Sequence, residues 1–204
     1  MPEMVEHQET QRDESPRDHH VCPWWMGYLI ASPLRKLGEN PEEILGPLVG
    51  PGMTAVDFGS AMGFFSLPLA RLVGDQGRVV CVDLQPRMLS TLQKRARRKG
   101  LDQIIETREC SKDDLGVDDL SGQADLALAV HVVHEVPYPR RFLTTCRRVL
   151  KSGGRLLLIE PKGHVTNQEF QATEDLALDV GFTECDKLQF RKSHALVLEA
   201  STTG

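Results

Sequence analysis

Residues 55–63 read Ala55-Val56-Asp57-Phe58-Gly59-Ser60-Ala61-Met62-Gly63, an apolar run that ends in an acid and continues into a glycine-containing turn. This pattern predicts a buried strand, a tight loop and then a helix over residues 64–73. We expect Gly59 to permit a sharp turn where a Cβ would clash, and Gly63 to let the helix lie close to a ligand. Backbone N–H groups at a helix N-terminus favour polar or anionic groups. The stretch therefore predicts a ligand-binding loop beside Asp57.

A second short apolar run also ends in an acid: Arg78-Val79-Val80-Cys81-Val82-Asp83. Ligands of open α/β sheets bind at the carboxyl ends of the strands, where an acid commonly accepts hydrogen bonds from ribose hydroxyls. The dinucleotide-binding fingerprint would require glycines at positions 59, 61 and 64, but Ala61 and Phe64 occupy two of them. The loop is therefore predicted to bind a nucleoside without a diphosphate, and a nicotinamide-dependent oxidoreductase is disfavoured.

Three motifs resemble the landmarks of class I S-adenosylmethionine (SAM)-dependent methyltransferases, in the order and at the spacing usual for that family. They are Asp57-x-Gly59-x-x-x-Gly63, Val82-Asp83-Leu84 and Leu150-Lys151-Ser152-Gly153-Gly154-Arg155-Leu156-Leu157-Leu158. Within the family the chain is most similar to the ubiquinone/menaquinone-biosynthesis-like group, which methylates small molecules. The resemblance extends over residues 42–200. It implies that SAM is the cofactor and that a methyl group is transferred.

Short apolar strands alternate with helices along the chain, a pattern that favours a parallel sheet covered on both faces. The predicted strands span residues 54–58, 78–83, 104–109, 124–131, 154–159, 183–190 and 194–199. The predicted helices span residues 64–73, 86–99, 139–150 and 167–180. No helix separates the last two strands, so one of them is predicted to be antiparallel. The predicted fold class is α/β: a Rossmann-like, seven-stranded, mostly parallel sheet with helices on both faces and an antiparallel last strand.

The composition limits the class of protein and its partners. We expect three segments in the 204 residues: a disordered acidic tail over 1–19, an N-terminal helical lid over 20–50 and a SAM-binding domain over 51–204. The net charge of −5 disfavours nucleic acid as a partner. No apolar run approaches the ~18 residues of a membrane span, and no signal peptide is visible. The five scattered cysteines form no disulfide framework, so a cytoplasmic protein is predicted.

The resemblance also implies roles for individual residues around the cofactor. The first loop would surround the amino-acid end of SAM, Asp83 would hold the ribose hydroxyls, and Leu84 and Met88 would pack on adenine. Relatives often carry an acid after the third strand, where this chain has Cys110 and Ser111, so their backbone is expected to contact adenine. The predicted cofactor-binding residues are Asp57, Gly59, Ser60, Gly63, Asp83, Leu84, Met88, Cys110, Ser111 and His131.

The carboxyl end of the fourth strand, where the methyl acceptor is expected, carries two histidines. His131 and His134 are candidate general bases because imidazole titrates near neutral pH. The alternatives are that His131 contacts SAM through its backbone and that His134 caps the following helix. Glu160 and His164, after the fifth strand, are predicted to contact substrate, unless they only shape a turn.

The segment before the fold is rich in aromatic residues. Trp24, Trp25 and Tyr28 are predicted to form a lid over the acceptor, although they could instead only attach an extra helix to the sheet. The nearby His19-His20-x-Cys22 lacks a partner ligand pair with zinc-site spacing, so no metal is predicted. Near the end of a predicted helix, the basic run Lys94-Arg95-Ala96-Arg97-Arg98-Lys99 is predicted to face water.

The predicted function is methyl transfer from SAM to a small-molecule acceptor. Two alternatives stay open at this point, namely methylation of a macromolecule (protein or RNA) and SAM binding without catalysis. The sequence identifies neither the acceptor nor the oligomeric state.

Overall fold

The computed structural model describes residues 40–201. The predicted acidic tail lies outside the described residues, and so do most of the predicted lid, the three aromatic residues Trp24, Trp25 and Tyr28, and the His19–Cys22 segment. The described part begins at a short helix, α1 (Pro41–Leu45). Asn40 caps this helix because its side chain accepts a hydrogen bond from the Glu42 backbone N–H, and Pro41 occupies the first helical position.

One seven-stranded sheet organises the described residues, in the order β3-β2-β1-β4-β5-β7-β6. The strands are β1 (Thr54–Phe58), β2 (Arg78–Asp83), β3 (Ile105–Glu109), β4 (Ala124–Val130), β5 (Leu150–Pro161), β6 (Phe182–Gln189) and β7 (Ser193–Ala200). Strands β1 to β5 pair in parallel, whereas β7 is antiparallel to both of its neighbours. The predicted fold class is therefore confirmed, including the antiparallel last strand.

The remaining helices connect the strands and cover the sheet. They are α2 (Ser66–Val73), α3 (Pro86–Arg97), α4 (Pro139–Val149) and α5 (Asn167–Asp179), with 3-10 turns at Asp118–Leu120 and Val133–Glu135. Two buried apolar clusters lie on opposite faces of the sheet. One cluster includes Phe142 and Leu143 of α4, and the other includes Leu69 of α2 and Leu92 of α3. None of the helices within residues 40–201 is long and apolar enough to cross a bilayer.

Most predicted boundaries differ from the structure by one or two residues, and two of the differences have a clear physical reason. Helix α2 begins at Ser66 rather than at residue 64, because residues 61–65 form turns with left-handed backbone at Ala61 and Gly63. Strand β5 begins at Leu150, where a helix end and a turn were predicted, because Leu150 already pairs with Ala124 of β4 before an irregularity in the ladder. Neither difference moves the carboxyl ends of β1, β2 and β4, which lie side by side at one edge of the sheet.

Candidate active site

A cleft of about 1380 Å³ opens at the carboxyl ends of β1, β2, β3 and β4. The adjacent parallel strands bring the first loop and the ends of β2 and β4 together there, as the sequence pattern predicted. The predicted cofactor-binding residues that line this cleft are Asp57, Gly59, Ser60, Asp83, Leu84, Met88, Cys110, Ser111 and His131.

Gly59 begins the loop and is held on two sides. Its backbone N–H and that of Ser60 both donate to the Val82 carbonyl oxygen, at 2.9 and 3.1 Å. The φ angle of Gly59 is +71°, a left-handed conformation that L side chains rarely adopt. A Cβ at this position would lie 2.8 Å from Cγ2 of Val132, in the turn after β4. The position therefore requires glycine, as predicted.

Gly63 lies against helix α3, whereas the sequence predicted that it lies close to a ligand. It does not line the cleft, and a Cβ on it would lie only 2.2 Å from Cδ1 of Leu92 on helix α3. Its φ angle of +81° also lies in the left-handed region. In this structure Gly63 allows α3 to pack directly against the loop, and its close approach to a ligand stays a prediction.

Ser60 presents a polar atom with no partner. The residue is 4% exposed, and its Oγ forms no hydrogen bond with any described residue. A buried hydroxyl left unsatisfied costs about 1–3 kcal/mol. Because Ser60 lines the cleft, a polar ligand group bound there would remove that cost.

Asp83 connects the end of β2 to the loop and to helix α3. Its Oδ2 accepts from the Ala61 N–H and its Oδ1 from the Gln85 N–H, both at 2.8 Å. Burial raises the pKa of Asp83, and the two backbone hydrogen bonds act against that rise. Each carboxylate oxygen has two lone pairs, so each can still accept one hydrogen bond from a ligand hydroxyl. The bond from Ala61 also holds that residue at a φ of +46°, which is rare for alanine.

Asp57 is the most deeply buried carboxyl group in the cleft, at 2% exposed. Burial raises its pKa to about 7; the hydrogen bond from the Ser66 hydroxyl lowers the pKa, and the neighbouring Asp83 raises it. Asp57 therefore changes charge near neutral pH, and a cationic ligand group close to it would favour the ionised form.

This pKa gives a prediction for the substitution Asp57→Asn. In the unfolded chain Asp57 ionises near 3.8, whereas in the folded chain it keeps its proton until about pH 7. Between these pH values the folded state binds more protons, so this carboxyl's contribution to stability falls as the pH rises and is constant above the folded pKa. Asparagine does not titrate. We expect the Tm of Asp57→Asn relative to that of the wild type to rise by ~5 °C between pH 5 and pH 8.

Thermal unfolding of the SAM-free proteins, followed by circular dichroism at several pH values, measures this difference. A difference in Tm that stays constant with pH would contradict a raised pKa for Asp57.

The adenine side of the cleft differs in part from the prediction. The backbone N–H groups of Cys110 and Ser111 donate to the carbonyl oxygens of Asp83 and Asp114, at 3.1 and 2.8 Å. Burial, and next the charge of Asp83, raise the pKa of the Cys110 thiol to about 12. The two N–H groups are therefore already used within the chain, so a backbone contact with the adenine amino group would use the carbonyl oxygens. Asp114, which was not predicted, also lines the cleft, and its Oδ1 accepts from the Gly116 N–H at 2.8 Å.

The end of β4 brings one of the two candidate bases into the cleft. His131 lines it with a φ of +56°, and its backbone N–H donates to the Ile159 carbonyl oxygen at 2.7 Å. His134 lies in the following 3-10 turn and does not line the cleft. The structure therefore places His131, and not His134, where a ligand could touch it.

Glu160 forms hydrogen bonds with the turn after β4 and does not line the cleft. It is 1% exposed; its Oε1 accepts from the Val133 N–H at 2.8 Å, and its Oε2 bonds Nδ1 of His134. Burial lowers the pKa of His134, but the hydrogen bond and charge of Glu160, aided by Glu135, raise it above its ordinary value overall. Glu160 does not line the cleft and both its oxygens have partners, so the structure does not support the predicted substrate contact.

His164, the other predicted substrate residue of this strand end, is exposed. Its ring packs edge-on against that of His134 with 5.9 Å between centroids, and it does not line the cleft. The structure therefore brings His164 to the outside of the turn that Glu160 holds.

Several other residues of the cleft, near His131, were not predicted from the sequence. They share a position in the loop after β1 or in the turn between β4 and α4, and they are Phe64, Glu135, Val136 and Tyr138. The sequence did contain a signal for Tyr138. Pro139 occupies the first position of α4, so the aromatic residue before it lies in the turn that faces the cleft. Among residues 40–201 no group of three histidine, cysteine, aspartate or glutamate side chains is arranged to hold a metal ion.

Comparisons with known proteins agree with this geometry. A family profile described as "Methyltransferase domain" matches residues 56–158, about half of the chain. A ubiquinone biosynthesis O-methyltransferase from Cereibacter sphaeroides is 29% identical in an alignment 150 residues long, which covers 67% of this chain and 58% of that protein. A ubiquinone/menaquinone biosynthesis C-methyltransferase from Brucella anthropi is 32% identical over 116 residues, which are 57% of this chain and 43% of that protein. The chain thus spans about half the length of these curated relatives.

A solved structure shows the same fold. The crystal structure of a SAM-dependent methyltransferase from Aquifex aeolicus superposes with a TM-score of 0.79 and 20% identity, over 88% of this chain and 100% of that one. The likeness extends beyond the span of the family profile to nearly all the described elements. The chain therefore belongs to the methyltransferase domain family, with the fold of class I SAM-dependent methyltransferases.

Proposed function

We propose that this chain transfers a methyl group from SAM to a small-molecule acceptor. The observation that carries the proposal is the pairing, in one cleft, of the Asp83 carboxylate with the unpartnered, buried hydroxyl of Ser60. The Asp83 carboxylate suits the ribose of SAM, and the Ser60 hydroxyl suits its polar amino-acid end. The names of the two curated relatives, both methyltransferases of quinone biosynthesis, support a small acceptor.

In this proposal each part of SAM would be bound by a different set of cleft residues. The free lone pairs of Asp83 would accept from the ribose hydroxyls. Gly59 and Ser60 would surround the amino-acid end, and the side chains of Leu84 and Met88 would pack on adenine. The backbone carbonyl oxygens of Cys110 and Ser111 would accept from the adenine amino group, and Asp114, which also lines the cleft, is a second candidate acceptor.

When bound, SAM supplies a methyl group made electrophilic by the positive sulfur, so the protein's part is to position the acceptor and exclude water. Phe64, Val136 and Tyr138 would hold a flat or partly apolar acceptor beyond His131. The imidazole of His131 would take the proton that a hydroxyl or amine acceptor loses. His134, fixed by Glu160, would keep the turn that carries His131 in place. Residues 40–50 of the predicted lid do not line the cleft, so the roof of the acceptor site is assigned in this proposal to residues 20–39, which include Trp24, Trp25 and Tyr28.

Two measurements test the proposal. Calorimetry of the purified full-length chain should show binding of SAM and of S-adenosylhomocysteine. Methyl-labelled SAM should then label one or more members of a panel of phenols, hydroxyquinones, amines and thiols. The substitution His131→Gln should retain SAM affinity and slow the transfer by roughly 100-fold, the usual contribution of a general base.

The same assay includes RNA and a protein mixture as acceptors. Labelling of these alone would replace the small-molecule acceptor by a macromolecular one. SAM binding without transfer to any acceptor would contradict an enzymatic function, and lack of SAM binding would contradict the proposal as a whole.

A further inference from the structure

Helix α3 supports the cofactor loop through two side chains. Arg95 donates a hydrogen bond from Nη1 to the carbonyl oxygen of Met62, which is only 3% exposed. One turn earlier on the same helix, Leu92 fills the space that a Cβ on Gly63 would need. The loop is thus held on the side opposite the cleft by a helix that begins next to Asp83, the predicted ribose ligand.

With the hydrogen bond from Arg95, both polar groups of the Met62–Gly63 peptide have partners. The Met62 carbonyl accepts from Arg95, and the N–H of the same peptide, on Gly63, donates to the Ser60 carbonyl oxygen at 2.9 Å. A peptide group held at both ends cannot rotate without losing a hydrogen bond. This restraint matters because Gly59, Ala61 and Gly63 all have positive φ angles. Glycine adopts such angles readily, but the conformation of Ala61 is strained and persists only where the surrounding structure holds it.

Arg95 differs from the other cations of the basic run that was predicted to face water. Its side chain is partly buried, whereas those of Lys94, Arg97, Arg98 and Lys99 are exposed. The prediction is therefore wrong for Arg95, whose charged group reaches inward to a loop carbonyl. Within the described part of the chain no side-chain hydrogen bond is formed by Arg97, two positions further along α3.

We propose that Arg95 is a positioning residue for cofactor binding, and that it acts by holding the Met62–Gly63 peptide in the orientation that the loop needs. The inference rests on the proposed function in taking SAM as the ligand of the cleft. Without Arg95 the loop would populate other conformations in which Ser60 and Gly59 are displaced. The apparent Kd then rises in inverse proportion to the fraction of molecules whose loop is competent to bind.

The substitution Arg95→Met tests this role, because methionine keeps an unbranched apolar stem and removes the donor. We expect calorimetry to show a Kd for SAM about tenfold above the wild-type value, corresponding to a competent fraction of about one tenth. Arg97→Met removes a charge from the same helix and should leave the Kd unchanged. Arg95→Lys restores a donor without the planar guanidinium and should give an intermediate Kd.

Amide hydrogen exchange of the SAM-free proteins gives a second measurement. We expect the Gly63 amide to exchange faster in Arg95→Met than in the wild type, while amides of the central strands β1 and β4 keep their wild-type rates. A merely structural role would lower the Tm and speed exchange throughout the domain, with the Kd of the folded protein unchanged.

The outcomes separate the inference from the proposed function. If the wild type binds SAM and Arg95→Met binds it equally well, the positioning role is overturned while the proposed function stands. If the wild type does not bind SAM, the proposed function fails and the role of Arg95 in cofactor binding fails with it. If Arg95→Met does not fold, Arg95→Gln decides, because its shorter side chain does not extend as far as the guanidinium: a wild-type Kd together with wild-type exchange at Gly63 overturns the inference.

Discussion

Replacement of Gly59 by valine is expected to abolish SAM binding, with a loss of affinity of at least about 100-fold, while the far-ultraviolet circular dichroism stays near that of the wild type. Two effects combine. A β-branched side chain is strongly disfavoured at the φ of +71° found here, and its Cβ would lie 2.8 Å from Cγ2 of Val132. Relief of either strain moves the loop, and displacements of about 1 Å are enough to lose most of a positioned interaction.

A matched control separates the clash from the backbone strain. Gly122 has a φ of +66°, is exposed, and would place a Cβ with nothing within 4 Å. Gly122→Val should therefore lower the Tm through strain alone and leave the Kd for SAM unchanged. Wild-type SAM affinity in Gly59→Val would mean that the Gly59 loop does not form the cofactor site.

The strand ends and the loop that form the cleft were largely predictable, because each is marked by a local sequence pattern that recurs along the chain. Asp57 and Asp83 each follow a short apolar strand. Once the pattern indicates a parallel sheet, their strands must end at the same edge. The bounds of β1 and β2 agree with the prediction for a similar reason: each is a short, mostly apolar run, and Gly59 or Asp83 marks where the run ends.

The parts that were not predictable depend on contacts between residues far apart in sequence. One example is Glu160 at the end of β5, which does not enter the cleft. Its position is decided by the turn after β4, because Val133 and His134 of that turn bind its carboxylate. Similarly, position 63 requires glycine because a Cβ there would clash with Leu92. Neither partner can be identified from a single sequence, since nothing in the local pattern specifies which side chain of α3 or of the β4 turn will lie opposite.

The same limit applies to the basic run on α3. Cations near a helix C-terminus usually face water, and four of the five here do so. Arg95 is set apart by its angular position on the helix and not by its chemistry. Its i, i+3 relation to the buried Leu92 was the available signal, because these two positions lie on one face.

Replacement of Asp83 by alanine is expected to weaken SAM binding by about 1–3 kcal/mol, through loss of charge-assisted hydrogen bonds to the ribose. The structure adds a second consequence. Asp83 also accepts from the backbone of Ala61, whose left-handed conformation would lose that support. Calorimetry measures the total effect, and Asp102→Ala, at an exposed position of the turn before β3, is the control that should leave the Kd unchanged.

A double-mutant cycle divides the effect between its two causes. The wild type and Asp83→Ala are each titrated with S-adenosylhomocysteine and with its 2′,3′-dideoxy analogue. If Asp83 binds the ribose, removal of the hydroxyls should weaken binding to the wild type and have little further effect in Asp83→Ala. If the hydroxyls contribute equally in both proteins, Asp83 acts only by holding the loop. An unchanged affinity for the complete ligand in Asp83→Ala would exclude both roles, because either one requires the carboxylate that joins β2, the loop and α3.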